Sequence, residues 1–452
     1  MTAVIQIFLD GAWHDAATLQ IHDANQGYAG GCSFAYLIDH FARYAVQPHP
    51  TAAVSCRYPV NYEIHDLDSW PAFLLDVLPS GAGRVHWLTH LGLKDGPAAD
   101  WELLQNGTGN PPGNLRIAEA AVRRDVIVPT ADGKLVSNHG HPGFQREDIL
   151  DRQEHFIEYA AQMGAHVAGC SDVQGVAPKF LLQQDHRGRW HAEGALADAD
   201  VSACWIVKFP RGKTEQDRTV LRNEAPYMAL AGSIGLKVYP VATEWEGDAL
   251  FVPRFDRQII PGGVVRFGME SLYSLAGITG YGVSVSQNVF AKALADYSTD
   301  PEVELREFVR RDVFNIAVGN KDNHGRNTAV LRLPDGTVTL TPLFDVAPMY
   351  LDPEGIARVS RWEGDAEAGG RPLWGRVAEA LQIKDHRAFR GELADWADTI
   401  ERLPDQMREC GVQDSIIENR AVGIKDLAQE LRDAAPTFTA RVRPNKQSGF
   451  EP

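Results

Sequence analysis

At 452 residues the chain is too long for one average domain, and its 44% apolar content is enough for real cores, so two or three subdomains are expected. A balance of 44 basic to 60 acidic residues, net −16, argues against binding nucleic acid through a broad basic surface of its own. Five widely spaced cysteines (Cys32, Cys56, Cys170, Cys204, Cys410) without a CxxC pair speak against a disulfide framework or zinc site and for reduced thiols in the cytoplasm, and no signal-peptide pattern or membrane-length apolar run is evident.

Residues 1–125 read as a β-rich N-terminal subdomain. A strand is expected over 4–9, ending at Asp10-Gly11, and a second short one near 19–21. Residues 33–44 have the spacing of an amphipathic helix, with Phe34, Leu37, Ile38 and Phe41 on one face. The apolar run WPAFLLDVLPSG (70–81) predicts a short helix stopped by Pro79 and Gly81, and 86–93 another. Residues 126–150 are polar and turn-rich and read as a boundary.

A mixed α/β nucleotide-binding lobe is expected over 146–258. It starts with a helix over 146–166 and continues with strands at 180–182 and 205–209. A helix follows from Glu224 with Asn223 as N-cap, and then strands over 238–243 and 249–255. An all-helical C-terminal lobe is expected over 259–436, with helices over 302–318, 388–403 and 415–434. Residues 437–452 are polar and basic and are expected to be a disordered tail.

The densest polar constellation follows the helix of 302–318. It holds Asn320, Asp322, Asn323, His324 and Asn327, then two short strands over 328–333 and 338–343 joined at Asp335-Gly336, then Asp345. Phosphoryl transfer to a hydroxyl needs a carboxylate near the acceptor and cations to neutralise phosphate charge. The five-residue gap from Asp322 to Asn327 is the gap between base and metal-binding asparagine in the protein-kinase loop H-R-D-x-x-x-x-N. A tight hairpin turn at Asp335-Gly336 can bring Asp345 back to face Asn327, and both side chains offer the hard oxygens that Mg²⁺ takes. His324 is a candidate for orienting the loop or capping a backbone group.

Lys208 lies inside the apolar strand of Ile206, Val207 and Phe209. Burying an ammonium is costly unless it meets an anion, which an ATP phosphate would supply, with Glu224 as its ion-pair partner. The loop 171–179 (SDVQGVAPK) is a candidate phosphate cover. It contributes Gly175, Val176 and Lys179 to the ATP-binding set, together with Asn320, and its Ser171 is a candidate phosphorylation site. The loop has one glycine and is neither a Walker loop nor G-x-G-x-x-G. Phe255, in FVPRFDR, is placed to cover an adenine ring.

Together these segments resemble the HipA family, the serine/threonine kinase toxins of bacterial HipBA-type toxin–antitoxin pairs. The resemblance is carried by WPAFLLDVLPSGAGR, SDVQGVAPK, WIVKFP, NEAPYMALAGSIGL and FVPRFDR in that order, and above all by N-x-D-x-H-x-x-N at 320–327 with the later Phe344-Asp345. It implies a bilobal, protein-kinase-like α+β fold with Asp322 as catalytic base and Asn327 and Asp345 as Mg²⁺ ligands. Lys208 would be the ATP-phosphate lysine, and a serine near Ser171 would be autophosphorylated. The partners it implies are a helix-turn-helix antitoxin, operator DNA only through that antitoxin, and an aminoacyl-tRNA synthetase as target. The chain departs from the family pattern in two places. Gln174 replaces a loop glycine, with Asp172 near the regulatory serine position, and Met269-Glu270-Ser271 stands where an E-D pair is usual. A small-molecule kinase on the same lobes and a non-catalytic antitoxin-binding regulator remain the competing readings.

Overall fold

The computed structural model describes residues 1–46, 49–121, 126–165, 178–352 and 355–436. Alternating apolar residues build the first sheet, a five-stranded antiparallel one. Its order is His65–Leu67, Cys32–Tyr36, Ala12–Ile21, Thr2–Leu9, Leu115–Ile117. Ile5, Ile7, Leu19, Phe34 and Tyr36 point inward, where Trp70, Phe73, Leu74 and Trp101 cover them. Residues 33–36 are therefore strand, and only Ile38–Tyr44 is helix. The period-2 burial of Cys32, Phe34 and Tyr36 overrides the helical spacing that the same residues offer.

A second five-stranded antiparallel sheet runs Glu244–Glu246, Ala249–Pro253, Val201–Lys208, Lys179–Asp185, Trp190–Ala192. No strand forms over 238–243, where Pro240 removes a ladder donor, and the hairpin partner is Glu244–Glu246 instead. The helix expected over 146–166 is two helices, Arg146–Leu150 and Glu154–Gln162, broken where Arg152 takes φ +49°. Residue 166 lies outside the described residues. Val128 and Phe144, in the stretch read as a connector, are fully buried with Phe156, Phe180, Trp190 and Phe251 and so belong to this sheet's core.

The third core joins the helix Glu224–Ser233 to the C-terminal helices Pro301–Val318, His386–Glu401 and Asp414–Asp433. A small sheet of Gly268–Ser271, Ala329–Arg332 and Val338–Leu340 also lies in this part of the chain, so it is not purely helical. Asn223 precedes Glu224–Ser233 without capping it by its side chain. Its amide donates instead to Thr219 O and to Gln413 Oε1. The residues of the expected tail, 437–452, are outside the described residues. Among the described residues no helix is long and apolar enough to cross a membrane.

Two buried polar clusters bind the three parts together. Asp256 accepts from the guanidinium groups of Arg254 and Arg257 and from the Gly113 amide at 2.7 Å, while Arg257 donates to the carbonyls of Pro111 and Gly113. Burial would raise the Asp256 carboxyl, but the two arginines hold it far below the usual carboxylate range. Glu270 accepts from Ser55 Oγ (2.5 Å), the Cys56 amide (2.8 Å) and Ser274 Oγ (2.8 Å). The Met-Glu-Ser segment is thus a seam between the N-terminal sheet and the C-terminal lobe.

Candidate active site

The site begins where the helix Pro301–Val318 stops. Asp300 caps its start and Gly319, at φ +75°, ends it. A side chain at Gly319 would meet the Tyr350 ring at 2.5 Å, so the exit direction of the chain is fixed. The loop that follows is tied down residue by residue. Asn320 Nδ2 donates to Asn315 Oδ1 and its own oxygen accepts from the Asp322 amide. Asn323 donates to Ser360 O and accepts from the Val359 and Ser360 amides. His324 Nδ1 accepts from the Arg326 amide at 3.2 Å. That leaves Nε2 as the protonated nitrogen, 3.4 Å from Asp322 Oδ1.

Asn327 Nδ2 donates to the Asp322 main-chain carbonyl at 2.8 Å, which fixes the Asn327 side chain against the turn. Asn327 Oδ1 is buried without a hydrogen-bond donor in the protein, and Asp322 Oδ1 has the His324 ring 3.4 Å away but outside hydrogen-bonding geometry. Buried acceptors are rarely left so. Burial raises the Asp322 carboxyl above its ordinary value, His324 pulls it down and Asp345 pushes it up again.

The hairpin Ala329–Arg332/Val338–Leu340 returns the chain to Asp345. Asp345 takes φ +58°, a left-handed backbone unusual for a residue with a side chain. Its Oδ1 accepts from Lys208 Nζ at 2.7 Å and its Oδ2 from Lys179 Nζ at 3.3 Å. The two lysines are register partners on adjacent strands, which is why one carboxylate meets both. Behind them Lys208 Nζ donates to Glu224 Oε1 at 2.5 Å, at the first residue of its helix. Lys208 is buried, and its strand neighbour Val207 is fully so. Burial alone would lower the Lys208 ammonium, but Asp345 and Glu224 together raise it, and burial pushes Glu224 up against the pull of Lys208. Asp345 runs the other way. Burial opposes its ionisation, yet the two lysines hold it far below the carboxylate range.

Phe255 borders an apolar cavity of about 160 Å³ lined also by Met228, Val238, Tyr239 and Leu343, with Glu224 at its edge. Its ring lies 5.6 Å from that of Phe344, the residue before Asp345.

The structure therefore brings Asp322, His324 and Asn327 together in one loop, and Lys179, Lys208 and Asp345 together in one ion-paired cluster. Asn320 is used up in holding the loop to the preceding helix. Ser171, Gly175 and Val176 lie outside the described residues. Sequence reasoning passed over Asp76, Ser271 and Arg326, which lie behind the loop, because only tertiary contact gives them a role. The single hint was the odd Met269-Glu270-Ser271 segment. Among the described residues no three His, Cys, Asp or Glu side chains converge as a metal site. Asn327 Oδ1, buried and without a donor, is an oxygen of the hard kind that Mg²⁺ takes.

Residues 171–416 match the family model of the HipA-like C-terminal domain. The chain is 32% identical over 332 residues to the candidate kinase Y4mE of Sinorhizobium fredii, which covers 69% of this chain and 73% of that one. It is 32% identical over 302 residues to the serine/threonine-protein kinase toxin HipA of Shewanella oneidensis, covering 62% of this chain and 64% of the toxin. A solved structure of the Shewanella oneidensis MR-1 HipA, in complex with HipB and operator DNA, superposes with a TM-score of 0.64 at 19% identity. That match spans 95% of this chain and 99% of the solved one, a likeness of fold. The model match covers more than half of the chain and the Sinorhizobium relative aligns over more than two thirds of its own length, so the chain belongs to the HipA family of serine/threonine kinases.

Proposed function

We propose that this kinase is Mg-ATP-dependent and is the toxin of a type II toxin–antitoxin pair, acting on a protein serine or threonine. The observation that carries the reading is the meeting of Lys208, Glu224, Lys179 and Asp345, within electrostatic reach of Asp322 in a loop whose Asp322 and Asn327 keep unsatisfied buried oxygens. Such a set fits Mg-ATP. The lysines would hold phosphate oxygens, and Asn327 and Asp345 would hold Mg²⁺. Bound there, the ion supplies neutralisation of charge on the transferred phosphoryl group. Asp322, raised by burial and steadied by His324, is the group to take the acceptor hydroxyl's proton. Phe255 and Phe344 give apolar ring faces beside the lysine pair for the purine.

The named relatives support the partner reading: a HipB-like helix-turn-helix antitoxin would bind this chain and bring operator DNA with it. A translation component such as an aminoacyl-tRNA synthetase is the proposed target, and the cytoplasm the proposed compartment. Ser171 is kept as a proposed autophosphorylation site. The test is brief expression of wild type and Asp322→Asn, followed by phosphoproteomics and by incubation of purified protein with labelled ATP and lysate. New phosphoserine or phosphothreonine on a protein in the wild-type sample only, with growth arrest, is the expected result. Equal toxicity and labelling by Asp322→Asn, or label confined to the small-molecule fraction, overturns it.

A further inference from the structure

The back of the catalytic loop rests on the N-terminal part of the molecule. Arg326, two residues beyond His324, is buried. Its guanidinium lies 4.4 Å from the Tyr281 ring centre and donates through Nη2 to Gly280 O, while Nε and Nη1 have no partner in the protein. It borders a void of about 60 Å³ shared with Asp76, Ser80, Glu270 and Ser271. Asp76 comes from the far side, on the helix Ala72–Val77. Its two oxygens accept from one residue, the Ser271 hydroxyl at 2.6 Å and the Ser271 amide at 2.9 Å.

Ser271 Oγ in turn accepts from the Ser274 amide, fixing the start of the helix Leu272–Ala276. The next amide, that of Leu272, donates to both Gly325 O and Thr328 O, each at 2.9 Å. Those two carbonyls bracket Asn327. Cohesion between the two parts has other sources. Glu270 holds Ser55 and Cys56, and Arg332 donates to Ala53 O at 2.5 Å. What Asp76 adds is a grip on the serine whose neighbour carries the loop.

We propose that Asp76 is a positioning residue of the active site, setting through Ser271 and Leu272 the place of Asn327 and so the geometry of the cation it holds. The N-terminal subdomain is on this view part of the catalytic machinery. The inference rests on the assignment of Asn327 as a metal ligand.

The test uses the full chain with Asp76→Asn, Asp76→Glu and Ser271→Ala. The readouts are ATP turnover, affinity for a non-hydrolysable ATP analogue without metal, Mn²⁺ affinity by electron paramagnetic resonance in the presence of that analogue, and hydrogen exchange of the 320–328 amides. Asp76→Asn should lower kcat and Mn²⁺ affinity about 10- to 100-fold, the usual effect of removing a group that orients a ligand. Affinity for the ATP analogue without metal should stay within about twofold, because the lysine cluster is not involved, and exchange should quicken at 320–328 but not in Pro301–Val318. Asp76→Glu should recover part of the loss, and Ser271→Ala should fall in the same direction. Should Asp76→Asn fail to fold, Ser271→Ala carries the same readouts. Unchanged kcat, Mn²⁺ affinity and exchange overturn the proposal, even if melting temperature falls. If wild type turns over no ATP while Asp76→Asn still weakens Mn²⁺ and loosens the loop, the kinase reading fails and the positioning role stands.

Discussion

A buried lysine and glutamate joined to a half-buried aspartate and a second lysine cannot be altered one at a time without cost. Lys208→Met leaves Glu224 and Asp345 facing each other without the ammonium that both bond. Breaking a buried pair in this way costs about 3–5 kcal/mol, so the variant should unfold at clearly lower denaturant and bind no ATP. Lys208→Met combined with Glu224→Leu should regain part of that stability and none of the activity, which a denaturant titration beside an ATPase assay would show. Asp322 gives a pH signature. Its carboxyl is raised by burial, and the proposed base must be ionised, so turnover should climb with pH through a midpoint above the ordinary carboxylate range. Asp322→Asn should remove the share of that limb that Asp322 sets and lower kcat on the order of 100- to 10,000-fold, read from a pH–rate profile. The meetings of Lys208 with Glu224 and of Asp322 with Asn327 were legible in the sequence, because spacing such as 322-to-327 survives folding unchanged. Asp76 and Arg326 were not, because nothing local distinguishes an aspartate in an apolar helix from any other until its partner 195 residues away is known.

At the level of elements, glycine positions carry the loop's shape. Gly319 is held at φ +75° with Tyr350 against it. Gly319→Ala combines backbone strain with a steric clash and should destabilise by about 1–3 kcal/mol while slowing turnover, since the loop's starting direction shifts. Thermal melts and a kcat measurement check both. Long periodic helices such as Pro301–Val318 and Asp414–Asp433 could be read from spacing alone. The failures share one physical origin. Residues 33–36, 146–166 and 238–243 each had a local pattern that a tertiary constraint outweighed: a sheet face to fill, a chain reversal at Arg152, a missing donor at Pro240.

For the molecule as a whole, the seam between the N-terminal sheet and the C-terminal lobe should titrate. Burial raises the Asp76 carboxyl to about 6, against the pull of Arg326 and the Ser271 bonds and with Glu270 adding to the rise. A folded-state value above the unfolded one means that the folded protein keeps the proton longer. This contribution is greatest below pH ~4 and is lost as pH rises through about 6. Asp76→Asn mimics the protonated form, so the stability of wild type relative to this variant should fall by on the order of 2–3 kcal/mol between pH 4 and 7. Paired denaturant titrations across that range measure it.

The pairing of Asp345 with two ammoniums also bears on the order of events at the site. A carboxylate whose oxygens are already shared between Lys179 and Lys208 offers little to a free divalent ion, and the four side chains with Glu224 carry no net charge. Triphosphate is what can draw the lysines away. Mg²⁺ should therefore arrive as a passenger of the nucleotide, with a calorimetric titration of metal alone giving almost no heat and the same titration in the presence of an ATP analogue giving a full binding curve. On the proposed Mg-ATP reading, the lysine pair would work as a turnstile that admits the cation only with its phosphate.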